Sequence, residues 1–252
     1  FSMVFGTGRN DGLKSITFAV VSNQTDSYNN YASAHGSNPY TSKIAEFANA
    51  AYNIDESVLK EYNSFNNSSV SWDILTAYQG GMFGSYGKGN SYVGVTEALN
   101  QAGTYHYLPG SLSQTSITSK YGSKNDIVIN MGMNVSDKLF FGFNIGIPTA
   151  RYNYSESFFE SADNPENFLI TFQGNDGKNY DTYFNSGSYS YKYIADINGI
   201  YAKFGVIALP YEGLRVGASI QSPTAYTISE SWQYSASTTY ADSYYNDNQT
   251  SP

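Results

Sequence analysis

At 252 residues and a net charge of −8, the chain is long enough for one large all-β domain and carries no basic footprint for nucleic acid. It has no cysteine, which excludes disulfides, thiolate chemistry and cysteine-built zinc sites. Charged residues make up only 13% and aromatics reach 17%, an imbalance that suits a membrane interface or a tyrosine-rich adhesin better than an ordinary soluble domain.

In chain order, residues 1–6 and 14–23 alternate in polarity and are joined by TGRNDGL, whose Asp11-Gly12 pair is turn chemistry, so they predict a first hairpin. The connection over 24–124 is too long to be a bare loop. Within it, TSKIAEFANAAYN places Ile44, Phe47, Ala48 and Ala51 at helical spacing behind Thr41 or Ser42 as cap. SWDILTAYQGGMF likewise puts Ile74, Leu75 and Tyr78 on one side before Gly80-Gly81 ends the run. Residues 32–118 are therefore predicted to form a helical insertion capping the mouth of a barrel.

Residues 125–134 and 139–154 predict a second hairpin through VSDK, and 191–209 with 214–232 a third through PYEG. The links over 155–190 and beyond 235 are read as long loops. Tight turns thus alternate with long connections, the asymmetry of outer-membrane barrels, whereas a soluble sandwich has more even loops. No run approaches the roughly 18 apolar residues of a membrane helix, so any spanning structure must be a barrel.

Face assignment follows from alternation. Leu139, Phe141, Phe143, Ile145 and Ile147 share one parity, and Gly142, Asn144, Gly146 and Pro148 the other. Ile200, Ala202, Phe204, Val206 and Ala208 repeat the pattern, as do Leu214, Val216, Ala218 and Ile220. Lys203 would cost about 2–4 kcal/mol on a lipid face, so it is assigned to the lumen. Asp196 and Asn198 share the parity of Ile200, which fits a lipid face poorly. Tyr152, Tyr154, Phe158, Phe159, Tyr189, Tyr191, Tyr193, Tyr226 and Trp232 are read as an aromatic girdle. Pro148, unable to donate to a ladder, is expected to mark a bulge that switches the faces beyond it.

Little chemistry is legible. His35 and His106 have no partner at metal-ligand spacing and read as surface residues. GNDGKNYD offers Asn175, Asp176, Asn179 and Asp181 but not the twelve-residue calcium pattern, so it reads as a surface turn. No metal site, cofactor or catalytic constellation is expected, and the chain is not read as an enzyme.

SDKLFFGFNIGIPTARYNYSESFFE and GIYAKFGVIALPYEGLRVGASIQSPTAYTISESW resemble the FadL-type outer-membrane transporters of long-chain fatty acids and other hydrophobic compounds, the group that includes the toluene-uptake porins. The likeness covers about residues 1–30 and 120–235. It implies a transmembrane β-barrel of about fourteen strands, of which this chain, read as an internal piece of a longer one, supplies about six. It also implies passive transport of hydrophobic small molecules across a Gram-negative outer membrane by a monomer whose partners are lipid and an apolar ligand. The hatch segment with the family's asparagine-proline-alanine signature is missing. An alternative is a barrel of the same fold that docks protein partners without transporting, and a third reading is a soluble adhesin.

A fatty-acid site needs an apolar slot and a cation for the carboxylate. Lys203 is the first candidate for the cation, and Arg151, beyond the expected bulge, the second. Tyr201 and Ile207, with Phe47, Ile74 and Phe83 from the insertion, are the candidate apolar contacts.

Overall fold

A computed structural model of the chain describes residues 1–87, 89–103, 105–173 and 176–252. Its strands are β1 (Ser2–Gly6), β2 (Leu13–Ser27), β3 (Asn30–Asn38), β4 (Phe83–Ser85), β5 (Tyr92–Gly94), β6 (Ala98–Leu99), β7 (His106–Tyr107), β8 (Leu112–Val135), β9 (Leu139–Ala162), β10 (Leu169–Gln173), β11 (Asn179–Tyr211), β12 (Leu214–Gln221), β13 (Ala225–Tyr240) and β14 (Asp247–Thr250). Four helices, α1 (Lys43–Ala50), α2 (Glu56–Lys60), α3 (Ser64–Asn67) and α4 (Trp72–Gln79), lie between β3 and β4. The chain is all-β in class, mostly antiparallel sheet. Neighbours run β1-β2-β8-β9-β11-β13-β14, with β3 on β8 and with β10 and β12 on β11, an order that does not close on itself.

The three predicted hairpins form, but the strands outrun them. β9 continues to Ala162 and β11 already begins at Asn179, so the expected 155–190 loop is largely strand. β2 reaches Ser27, β3 follows it, and β8 starts at Leu112, which leaves a shorter insertion than 24–124. The expected single strand over 214–232 is interrupted between β12 and β13, at Ser222-Pro223-Thr224. Proline has no N–H to give the ladder, and Ser222 takes up part of the difference by donating from its backbone to Ala202 O at 2.9 Å.

The chain forms two compact units. The first comprises Phe1–Asn30, Lys120–Asn153 and Ile194–Ser231. Here register makes the alternation agree from strand to strand. Met3 pairs with Phe18, Phe18 with Met131, and Val20 with Ile129. Phe141 stacks on Phe204 at 6.4 Å between ring centroids, and Phe204 pairs with Ile220. One face therefore carries Phe18, Ile129, Phe143, Phe204 and Ile220, all left exposed, Ile220 by 71%. The opposite face carries Gly142, Gly146, Gly205 and Gly217 with polar neighbours. Among the described residues, Pro148 and Ala195 are the only buried apolar side chains in this unit.

Pro148 does not bulge the strand. β9 is unbroken, and Phe143, Ile147 and Arg151, at steps of four, are all exposed. Arg151 therefore stays on the apolar face instead of switching away from it. Its Nε lies 3.5 Å from Asp196 Oδ1, so the two charges that fit that face poorly meet each other. Ser123, Asn125, Thr149 and Asn198 surround the pair in a polar recess of about 200 Å³, where the apolar run ends.

The second unit comprises Tyr31–Ser119, Tyr154–Tyr193 and Trp232–Pro252. It holds a conventional core. Ser42 caps α1, its Oγ accepting from Ile44 N at 3.1 Å, and the helical spacing then buries Ile44, Phe47 and Ala48. α4 buries Leu75 and Ala77 and stops at Gly80. Leu112, Phe168, Phe184, Ala236 and Tyr240 complete the core. Glu160, 1% exposed, accepts from Ser42 Oγ at 2.8 Å, Lys43 N at 2.9 Å and Gln114 Nε2 at 2.6 Å. A carboxylate there also meets the positive end of the helix dipole. The Tyr78 hydroxyl donates to Glu56 at 2.8 Å, which holds that carboxyl below its ordinary range, while burial pushes the Tyr78 phenol up.

The expected aromatic girdle is divided: Tyr189 is buried in this core, while Phe159, Tyr226 and Trp232 are exposed. Tyr189 is 8% exposed and packs on Phe47 at 4.9 Å, Tyr191 stacks on Tyr234 at 4.7 Å, and Trp232 lies 6.0 Å from Trp72. Phe47 of α1 covers the Tyr189 ring, so Tyr189 is a core residue.

Candidate functional site

The residues expected to form one ligand site divide among three places. Phe47 and Phe83 are buried in the core of the second unit, and Ile74 packs against it, so none of them offers a surface to a ligand. Arg151 is on the apolar face of the first unit with Asp196. Tyr201, Lys203 and Ile207 are on the opposite, glycine-bearing face, as the alternation of β11 requires.

On that face Tyr201 is the organising side chain. Its ring lies over Gly146, where a Cβ would come within 2.1 Å of it, so only glycine lets the ring lie flat on β9. The hydroxyl then reaches β8 and donates to Asp126 Oδ2 at 2.7 Å. Lys203 Nζ lies 5.8 Å from the centroid of the same ring, a cation–π distance. Lys203 forms no ion pair among the described residues, which leaves its charge available.

Two recesses open on the same face. One, of about 240 Å³, is lined by Tyr28, Lys124, Pro148, Ala150, Ile197, Tyr226 and Ile228. Its strands are those that hold Tyr201 and Asp126: Pro148 is two residues from Gly146, and Lys124 is two from Asp126. The other, of about 430 Å³, includes Ile207 with Gly142, Gly205, Gly217 and Ser219, where the absence of side chains makes the hollow. Ile207 is thus separated from Tyr201 and Lys203 by the length of β11 between them.

Asp126, Lys124 and Tyr226 were missed. Asp126 had a signal: in NDIVIN it takes the parity opposite to Ile127 and Ile129, as Lys203 does among Ala202 and Phe204. Tyr226 had none, because its facing depends on the break at Ser222-Pro223-Thr224.

The remaining sequence candidates do local work. His35 Nδ1 is 2.9 Å from Thr115 Oγ1, and His106, half-buried and not on the surface, packs edge-on against Tyr86. Of the 174–181 turn, Asn175 lies outside the described residues, Asp176 accepts from Tyr180 and Asp181 from Thr171.

No protein-family model, curated protein or solved structure matches the chain. The functional reading therefore rests on its own residues and geometry.

Proposed function

We propose that the first unit is part of the wall of an outer-membrane β-barrel that passes hydrophobic small molecules, long-chain fatty acids among them, without energy coupling. One observation carries the reading: an in-phase apolar face across six strands, with no hydrophobic core in the same unit to account for it. Water-soluble proteins rarely leave contiguous apolar patches of more than a few hundred Å² uncovered. The run Leu139–Ile147 spans about 27 Å of strand, which suits the apolar band of a spanning barrel. The Arg151–Asp196 pair then falls at the end of the band, where charge costs ~0–1 kcal/mol instead of the several it costs at the midplane. Lys203, unpaired beside Tyr201 on the other face, is the cation available to an anionic head group.

Partition into phospholipid vesicles tests the wall. The chain is expected to co-float with the vesicles, keep its strand signal in circular dichroism, and shift its gel migration on heating. A chain that stays monodisperse and equally strand-rich without lipid or detergent would sink the proposal.

A further inference from the structure

Arg151 and Asp196 are opposite charges on an otherwise apolar face, and a ligand can reach both: their side chains are 64% and 49% exposed and line one recess of about 200 Å³. They meet through Nε at 3.5 Å, an ion-pair contact, and the guanidinium donates no hydrogen bond among the described residues. Ser123, Asn125, Thr149 and Asn198 complete the lining. Within that group the one side-chain hydrogen bond among the described residues runs from Asn125 Nδ2 to Ser123 Oγ, at 3.2 Å. The recess therefore presents a cation, a carboxylate and polar groups with bonding capacity to spare. An apolar hollow of about 380 Å³, lined by Phe143, Ile145, Ile200, Ala202 and Pro223 among others, continues down the same face, Ile200 being two residues from Asn198.

We propose that recess and hollow together hold one phosphorylated glycolipid of the surrounding membrane, its phosphate on Arg151, a sugar hydroxyl on Asp196 and an acyl chain in the hollow. The assignment rests on the barrel reading above and goes beyond it, since it concerns the lipid side of the wall and not the cargo. The tight turns after β8 and β11 lie at the other end of these strands, and tight turns of spanning barrels are periplasmic. The recess then faces the outer leaflet, which in a Gram-negative outer membrane is built of phosphorylated glycolipid. Charge selects in the same direction. A bare anion would set a second negative charge against Asp196, whereas a sugar hydroxyl beside the phosphate donates to it. A phosphatidylcholine also brings a phosphate, but its quaternary ammonium has no N–H to give Asp196.

Lipid A and the same lipid stripped of its phosphates isolate the phosphate. Each is titrated against the whole chain in detergent micelles, with EDTA present so that no divalent cation bridges phosphate to Asp196, and retained lipid is counted by native mass spectrometry. Lipid A is expected to bind about tenfold more tightly than the stripped lipid, the gain expected of one charge-assisted hydrogen bond. Arg151→Gln should abolish that preference. Asp196→Asn, which keeps an acceptor for the hydroxyl, should retain it, and so should Lys138→Gln, which removes the same charge at the opposite end of β9. Glucosamine 1-phosphate, which has the phosphate but no acyl chain, should not displace lipid A at matched concentration. Equal binding of the two lipids, a preference that survives Arg151→Gln or is lost in either other variant, or displacement by the sugar phosphate would overturn the proposal. Flotation of the same sample with vesicles reads the barrel proposal separately, so a chain that inserts but does not prefer lipid A fails here alone.

Discussion

Gly122 shows how much one residue can decide. Its φ of +138° lies where side-chain-bearing residues are rare, and a Cβ there would sit 1.9 Å from the Arg151 carbonyl oxygen, on backbone that cannot rotate away. Its own carbonyl accepts from Tyr28 N at 3.0 Å, so it helps fasten the end of β2 to β8. Gly122→Ala is expected to cost roughly 2–4 kcal/mol from backbone strain and overlap together. Gly142→Ala, with nothing within 4 Å of the added carbon, should change stability by less than about 1 kcal/mol. Urea unfolding of both variants in micelles checks this, and equal losses would mean that Gly122 is not constrained as described. Neither glycine is distinguishable in the sequence from the other 21, because what separates them is the distance to a strand some thirty residues away.

At the scale of elements, legibility followed contrast. α1 could be read because a cap and a helical stripe coincide, and α4 because its stripe runs into the Gly80-Gly81 pair that ends it. The far halves of β9 and β11 could not: SESFFESA and NYDTYFNSGSYSY mix serine, asparagine and tyrosine on both faces, so no polarity period announces a strand. Those residues become strand because helices cover one face of them, a tertiary fact. Glu160 is where this covering is fastened, and its removal should show the size of the effect. Glu160→Ala leaves Lys43 N and the Ser42 and Gln114 side chains without their acceptor in a buried place, at an expected cost of about 3 kcal/mol. Glu160→Gln, which keeps one acceptor, should cost about half that. The chain's two tryptophans, Trp72 and Trp232, both lie in the second unit, so their fluorescence during unfolding reports this unit directly. Equal stability of Glu160→Ala and the parent would remove the carboxylate from the role given it.

For the whole molecule, the decisive quantity is which face of the first unit meets an apolar medium, and adjacent residues of β9 can settle it. Phe143 lies in the middle of the apolar run and is 41% exposed, whereas Asn144 points to the face of Tyr201 and Lys203. If lipid lies against the first face, Phe143→Lys must take an ammonium toward the bilayer midplane, at about 2–4 kcal/mol. Asn144→Lys would join Lys124 and Lys203 on a face that already carries cations, and should cost under about 1 kcal/mol. In water, with no lipid, the ranking would reverse in sense: Phe143→Lys would relieve exposed apolar surface and improve solubility. Alternation made this comparison available from the sequence, but only the pairing of β2 with β8 and of β11 with β12, the strand order, and the stacking of Phe141 on Phe204 show that one face runs through them. Unfolding free energies of the two variants in phospholipid vesicles should therefore differ by at least about 2 kcal/mol, Phe143→Lys being the weaker. Equal costs, or a larger loss for Asn144→Lys, would mean that the apolar face is covered by something other than lipid.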